Sequence, residues 1–290
     1  MRIPENDGLW DLLKLDAIVD LIHDELHLDR ATIRERLYLE TLETGSNVCT
    51  AAREMAVTPH LFDERMTALY KQSDAFVFEL FVSHGLPFSR TIDARVSTVL
   101  NDNKTKRGGC TVLCYGDGIG CDSLRLAKMG YQVTYFEFDG FSSRVAKRRF
   151  NQTGNAGNIE IIHDLESLAE RKFDVVVCRE VLEHVPDPVS TIQEMNRLLF
   201  PEGLAVVTES FSRVTPEFPT HLKTNLKFAG HVIPLFVRQG FRYRGDYEGH
   251  PYLFIKECLP AQSQGMVRFL RRHWLPKLNR RLKQCFGARS

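Results

Sequence analysis

The chain has no apolar run approaching the roughly 20 residues that a membrane-spanning helix needs, so it offers no candidate span. Its opening, Met1 to Asp20, alternates charges with leucines and lacks the apolar centre of a secretory signal. It has seven cysteines, an odd number, and no Cys-x-x-Cys pair. Several of them fall in predicted buried strands. That usage argues against a disulfide scaffold or a zinc module and predicts reduced thiols in a cytoplasmic protein. No cluster of acids or histidines has metal-ligand spacing along the sequence, so no metal is expected. Repeats and low-complexity tracts are absent, and the net charge is only +1. The 290 residues suffice for one large domain or two small ones.

What the chain does have is glycine in one particular pattern. Val112-Leu113-Cys114-Tyr115 is an apolar strand running into Gly116-Asp117-Gly118-Ile119-Gly120 and then a helix-like segment, Ser123 to Met129. A β-carbon at any of these glycines would take up space that a ligand can use against the backbone. A dinucleotide fingerprint would carry its third glycine one residue later. A second buried strand, Gln132 to Phe138, ends in Glu137 and Asp139. An acid about twenty residues after such a turn is where an α/β nucleotide site grips ribose hydroxyls; a helix cap is the other reading of Glu137. A third run, Phe173 to Cys178, continues through Arg179-Glu180-Val181-Leu182-Glu183-His184-Val185-Pro186-Asp187-Pro188 into an amphipathic segment, Ile192 to Leu199. Pro201-Glu202-Gly203 and a further strand, Leu204 to Thr208, complete the order of a right-handed βαβ unit.

Together these stretches resemble the class I S-adenosyl-L-methionine-dependent methyltransferases, in their small-molecule, type 11/12-like branch, over roughly Thr111 to Lys256. The resemblance implies an α/β, Rossmann-like seven-stranded sheet. An antiparallel C-terminal hairpin, Phe241 to Asp246 against Pro251 to Lys256, would close it. It also implies S-adenosylmethionine as cofactor, with Glu137 on the ribose and Asp164, after the strand Ile159 to Ile162, near the adenine amine. An ordinary N-cap is the other reading of Asp164. Tyr115, Gly116, Asp117, Gly118, Gly120, Phe138, Leu165, Arg179 and Glu180 stand at the remaining cofactor positions. The chain departs from the family at Cys114, where an acid usually organises the methionine end. A thiol bonds only weakly there. Asp117 or Asp122 can supply the missing charge, and a weakened cofactor site is the alternative.

Around this core the chain divides into a helical region over 1–105, a methyltransferase domain over 106–258 and a basic amphipathic tail over 259–290. An insert at about 211–231, holding prolines, aromatics and His221, suits a substrate lid. In the helical region, Thr58-Pro59 predicts the start of one long helix, Leu61 to Val82, ended by Gly85. A further helix is expected over Arg90 to Leu100. Acids dominate before Thr44 and none follows Cys258. Such ends can meet within one chain or in a homodimer. Residues 266–290 also suit nucleic acid or an anionic membrane surface, or dock on their own domain.

Methyl transfer from a sulfonium chiefly requires donor and acceptor to be aligned and water kept out. A base helps when the acceptor is a hydroxyl or an activated carbon. His184, in the loop that the resemblance places against the methyl group, is the first candidate, and His221 is the second. Each also reads as a structural histidine. Glu180 and Glu183 can orient a histidine or bond the cofactor's amino group. The expected activity is O- or C-methylation of a small-molecule acceptor. The alternatives are an RNA methyltransferase using the basic tail and a non-catalytic scaffold or activator; a nicotinamide oxidoreductase fits the glycine spacing less well.

Overall fold

A computed structural model describes residues 15–107, 110–246 and 249–257. The predicted basic helix over 259–290 lies outside the described residues. Among those described, six helices precede the first strand. They are α1 (Leu15–Leu26), α2 (Arg30–Leu42), α3 (Ser46–Glu54), α4 (Glu64–Gln72), α5 (Ala75–Gly85) and α6 (Pro87–Arg107).

The single helix expected over Leu61 to Val82 is in fact two, α4 and α5. Asp63 starts α4 by accepting the Met66 amide at 2.9 Å, five residues beyond the predicted cap at Thr58. Ser73 then adopts extended backbone, and its hydroxyl accepts the Ala75 amide at 3.2 Å. Asp74 is held by both terminal nitrogens of Arg36 from α2, at 2.8 and 2.7 Å. A bidentate ion pair with a distant helix thus fixes the break. Pro87 begins α6, where its missing amide leaves no unmet bond.

The sheet runs in the order β3-β2-β1-β4-β5-β7-β6. Its strands are β1 (Thr111–Tyr115), β2 (Gln132–Phe136), β3 (Ile159–Ile162), β4 (Phe173–Arg179), β5 (Leu199–Thr208), β6 (Phe241–Asp246) and β7 (Tyr252–Lys256). The first five are parallel, and β7 pairs antiparallel with both β5 and β6, as the predicted hairpin requires. The remaining helices are α7 (Cys121–Lys128), α8 (Phe141–Gln152), α9 (Pro188–Leu198) and α10 (Val232–Val237).

Alternation along the strands sends side chains into two cores. Val112, Cys114, Val175 and Val177 pack with Ile92, Val96 and Leu100 of α6, Leu126 of α7 and Phe150 of α8. Leu113, Tyr115, Val176 and Cys178 face the other way, onto Ile192, Met195 and Leu198 of α9 and Phe236 of α10. Strand order reverses between β1 and β4, which opens a crevice at their carboxyl ends. Above that end lie α1, α2 and α5, sharing a core with Ile119 of the glycine turn and Val145 of α8. The described helices and sheet form one compact unit ending at Lys256. No described helix is long and apolar enough to cross a membrane.

Candidate active site

The glycine turn joins β1 to α7 with left-handed backbone at Gly116, Gly118 and Gly120, at φ of 72°, 50° and 75°. The space beside these glycines is filled by protein. A β-carbon on Gly118 would lie 2.5 Å from Leu80 Cδ1 of α5, and one on Gly120 would lie 2.5 Å from the Phe150 ring. One on Gly116 would meet Val181 at 2.6 Å. Backbone handedness and side-chain packing therefore dictate these three residues, where the sequence had suggested room for a ligand.

Glu137 ties the turn to the end of β2. One carboxylate oxygen accepts the Gly118 amide and the other accepts the Phe138 amide, both at 2.8 Å. Burial raises its pKa, and the two amides offset part of that rise. Each oxygen keeps a further lone pair. Phe138 and Leu165, 42% and 44% exposed, follow the ends of β2 and β3. A half-buried carboxylate flanked by exposed apolar side chains has the chemistry to take a ribose and a flat base. Asp164 is exposed, and it accepts the Ser167 amide at 2.7 Å and the Ser167 hydroxyl at 2.9 Å, just before a short 3₁₀ turn over Glu166–Leu168.

At the other end of the turn, the acid missing at Cys114 has no free substitute. Cys114 is fully buried, and burial pushes its thiol well above the usual range. Asp117 turns back onto α7, accepting the amides of Asp122 at 3.0 Å and Ser123 at 2.7 Å. Asp122 sits in an ion cluster with Arg179, at 2.8 Å, and with Arg125. Asp93 of α6 joins it, 2.6 Å from both arginines. Burial alone would raise Asp122, but Arg179 and Arg125 hold it down at about 2. Arg179, expected on the cofactor, is thus bonded to Asp93 and Asp122.

Where β4 and β5 end, a second polar group gathers. Glu180 has left-handed backbone at φ 50°, uncommon for a residue with a side chain, and it accepts the Ser210 hydroxyl. Glu183 is 1% exposed; its Oε1 accepts the Ser210 amide at 3.1 Å, whereas its Oε2 has no partner. His184 Nδ1 lies 3.0 Å from the Tyr70 hydroxyl and 3.2 Å from the Thr220 carbonyl, which leaves Nε2 for another group. His221 is 6% exposed and its Nδ1 is unpartnered. Its ring meets His184 edge-on at 4.7 Å and stacks on Phe218 at 5.0 Å. Burial pushes His184 down to about 4, and burial with the neighbouring His184 pushes His221 to about 3. Both are neutral imidazoles at pH 7. Burial, then the charge of Glu180, drives Glu183 well up.

One donor atom from each of Glu183, His184 and His221 lies within 4.8 Å of the other two. A set able to hold a metal therefore exists, although none was visible as spacing. His221 comes from the insert, far along the chain, so only the Glu-x-x-Glu-His run from Glu180 to His184 was there to be read.

The insert expected as a lid is fastened on both sides. Asn225, 1% exposed, donates to the carbonyls of Leu182, Glu183 and Val185 at 3.3, 3.2 and 2.8 Å. The Leu222 amide donates to the Glu183 carbonyl at 2.9 Å. On the helical side, the His60 amide donates to Pro219 at 2.7 Å and its ring bonds the His221 carbonyl at 2.9 Å. These bonds bring His221 against His184. Tyr70 and Phe76, stacked at 4.8 Å, supply an aromatic wall from α4 and α5, with Phe138 at 6.2 Å from Tyr70.

Residues 113–207 match a family model described as a methyltransferase domain. The ubiquinone biosynthesis O-methyltransferase of Nitrosospira multiformis is 38% identical over 105 residues, covering 35% of this chain and 44% of the relative. Its counterpart in Colwellia psychrerythraea is 39% identical over 105 residues, 36% of this chain and 43% of the relative. That of Xanthomonas euvesicatoria is 32% identical over 137 residues, 41% and 57% respectively. The chain therefore matches about half the length, or less, of these curated relatives. A methyltransferase structure from Pyrococcus furiosus overlays 56% of this chain and 83% of its own, at 17% identity and a TM-score of 0.42.

Proposed function

Because the centre of this chain is a class I methyltransferase domain, we propose that the protein transfers a methyl group from S-adenosylmethionine to a hydroxyl oxygen of a small molecule in the cytoplasm. The observation that carries this reading is the placement of two neutral imidazoles, His184 and His221, in the loop and insert beside the glycine turn, which Val181 touches at Gly116. The relatives named as O-methyltransferases support oxygen as the acceptor atom. The aromatic wall of Tyr70 and Phe76 suits a flat, phenol-like acceptor.

When bound, S-adenosylmethionine supplies a methyl group on a sulfonium, already joined to a good leaving group. Glu137 would hold the ribose hydroxyls through its spare lone pairs, and Phe138 and Leu165 would offer the base an apolar surface. Leu80 and Val181 lie against the turn at Gly118 and Gly116. Tyr70 and Thr220 fix the ring of His184 so that Nε2 is the free nitrogen. That nitrogen, with His221 beside it, receives the acceptor's proton as the new carbon–oxygen bond forms. Cys114 gives the methionine end no charge, so this binding energy falls on the ribose and base ends.

Calorimetric titration with S-adenosylmethionine, S-adenosylhomocysteine and NADH tests the cofactor. Binding of the two sulfur compounds but not NADH is expected, weakened about tenfold or more in Glu137→Ala, as losing a charged hydrogen bond of about 1.5–3 kcal/mol implies. Transfer of labelled methyl to a panel of catechols then tests the acceptor. Failure of either sulfur compound to bind would end the enzymatic reading.

A further inference from the structure

We propose that Glu183, His184 and His221 bind one divalent transition-metal ion. We further propose, resting on the methyl-transfer reading above, that this ion holds the acceptor's hydroxyl oxygen. The three donor atoms converge within 4.8 Å, although their residues come from a strand-end loop and a distant insert. Two of the residues carry donor atoms that are buried and left without a partner, Glu183 Oε2 and His221 Nδ1. Unpartnered buried polar atoms are rare in native proteins and call for a ligand, an ion or a water.

The rest of the neighbourhood is bonded in the way an outer shell would be. Glu183 Oε1 is held by the Ser210 amide at 3.1 Å, so the other oxygen is turned elsewhere. His184 Nδ1 is occupied by the Thr220 carbonyl and the Tyr70 hydroxyl, which leaves Nε2 as the ligating nitrogen. Asn225 and Leu222 bind the Glu183 carbonyl and hold the insert in place. Glu180 adds a second carboxylate near Glu183, and no salt bridge reaches either acid among the described residues.

Two imidazole nitrogens with a carboxylate oxygen suit zinc, cobalt, manganese or ferrous ions. Calcium and magnesium prefer oxygen ligands alone. Three protein ligands leave coordination positions open for a substrate oxygen. With a cation there, His184 Nε2 is a ligand and no longer the proton acceptor; the ion would instead stabilise the charge that grows on the acceptor's oxygen as its proton leaves to solvent.

The test uses the full chain, stripped with a chelator and titrated with Co²⁺ while its visible d–d absorption is followed. One equivalent is expected, displaced by Zn²⁺. Glu183→Gln and His221→Asn are each expected to weaken uptake by about tenfold or more. Circular dichroism melting and S-adenosylhomocysteine titration, run on the same variants, are expected to match the wild type. No stoichiometric uptake by the wild-type chain would overturn the proposal, whatever the variants do. So would uptake that both variants retain in full. Should either variant fail to melt cooperatively, His184→Gln replaces it under the same criterion. Metal uptake without binding of either sulfur compound would keep the site and remove only its role in methyl transfer.

Discussion

At the scale of single residues, the glycine turn separates two causes that sequence alone merges. Left-handed backbone at Gly118 and Gly120 costs any residue with a β-carbon about 1–2 kcal/mol. The neighbours then differ. Leu80 beside Gly118 is half-buried and can swing its methyl aside, whereas Phe150 beside Gly120 is 1% exposed and packed in the core. Gly118→Ala is therefore expected to lose about 1–2 kcal/mol in urea unfolding, and Gly120→Ala clearly more. The reverse ranking would show that packing does not decide the difference. Glu79 of α5 gives a pH prediction. Burial, with the charge of Glu40, pushes it up to about 8. Between about 4.5 and 8 the folded protein then holds a proton that the unfolded chain has released, so wild-type stability falls as pH rises through that window. Glu79→Gln removes this loss. Its stability relative to wild type should climb from pH 5 to pH 8 and then level off, and equal slopes in denaturant midpoints would sink the assignment.

At the scale of elements, legibility followed locality. β1, β2 and β4 were plain as apolar runs because both of their faces are covered, by α6, α7 and α8 on one side and α9 and α10 on the other. Glu137 was legible as a strand-end acid at a fixed distance from a turn. The break between α4 and α5 was not, since Ser73 and Asp74 are unremarkable until Arg36 arrives from α2. The pairing of His184 with His221 was hidden for the same reason, because side-chain bonds far apart in sequence bring the insert to the loop. Asn225 is the clearest of those bonds, satisfying three carbonyls from a fully buried position. Asn225→Ala would remove the side-chain donor to the Leu182 and Val185 carbonyls and leave Glu183 only the Leu222 amide, at a cost of about 1–3 kcal/mol. Hydrogen exchange should then rise at Leu222, whose amide depends on the same docking. Unchanged protection there would mean that the insert is held by its apolar contacts alone.

For the whole molecule, the question is whether the helices before β1 are an appendage or part of the fold. The family match begins at residue 113 and suggests an appendage. The packing says otherwise. Ile119 and Val145, both in the matched stretch, are buried only in company with Ile18, Val19 and Ile22 of α1 and with Phe78 and Val82 of α5. Arg148 and Arg144 of α8 pair with Asp24 at 2.7 Å and Glu25 at 3.5 Å. Asp93 of α6 is one of two acids opposing Arg179, whose side chain is 9% exposed. Removing residues 15–107 would uncover two apolar faces at once and leave a buried guanidinium under-compensated, a change of the kind that destabilises most. A chain beginning at residue 108 is therefore expected to collapse without a cooperative melt. The full chain should melt in one transition. S-adenosylhomocysteine at about 100 times its dissociation constant contributes about 2.7 kcal/mol to the folded state. For a domain of this size that corresponds to a rise of roughly 5–10 °C in Tm. Calorimetric scans of both chains, with and without the ligand, check this directly. A shortened chain that melts sharply and responds to the ligand would make the helices a removable cap. If only the full chain responds, the helical region belongs to the cofactor site's own fold, and Leu80 over Gly118 is the contact through which it acts.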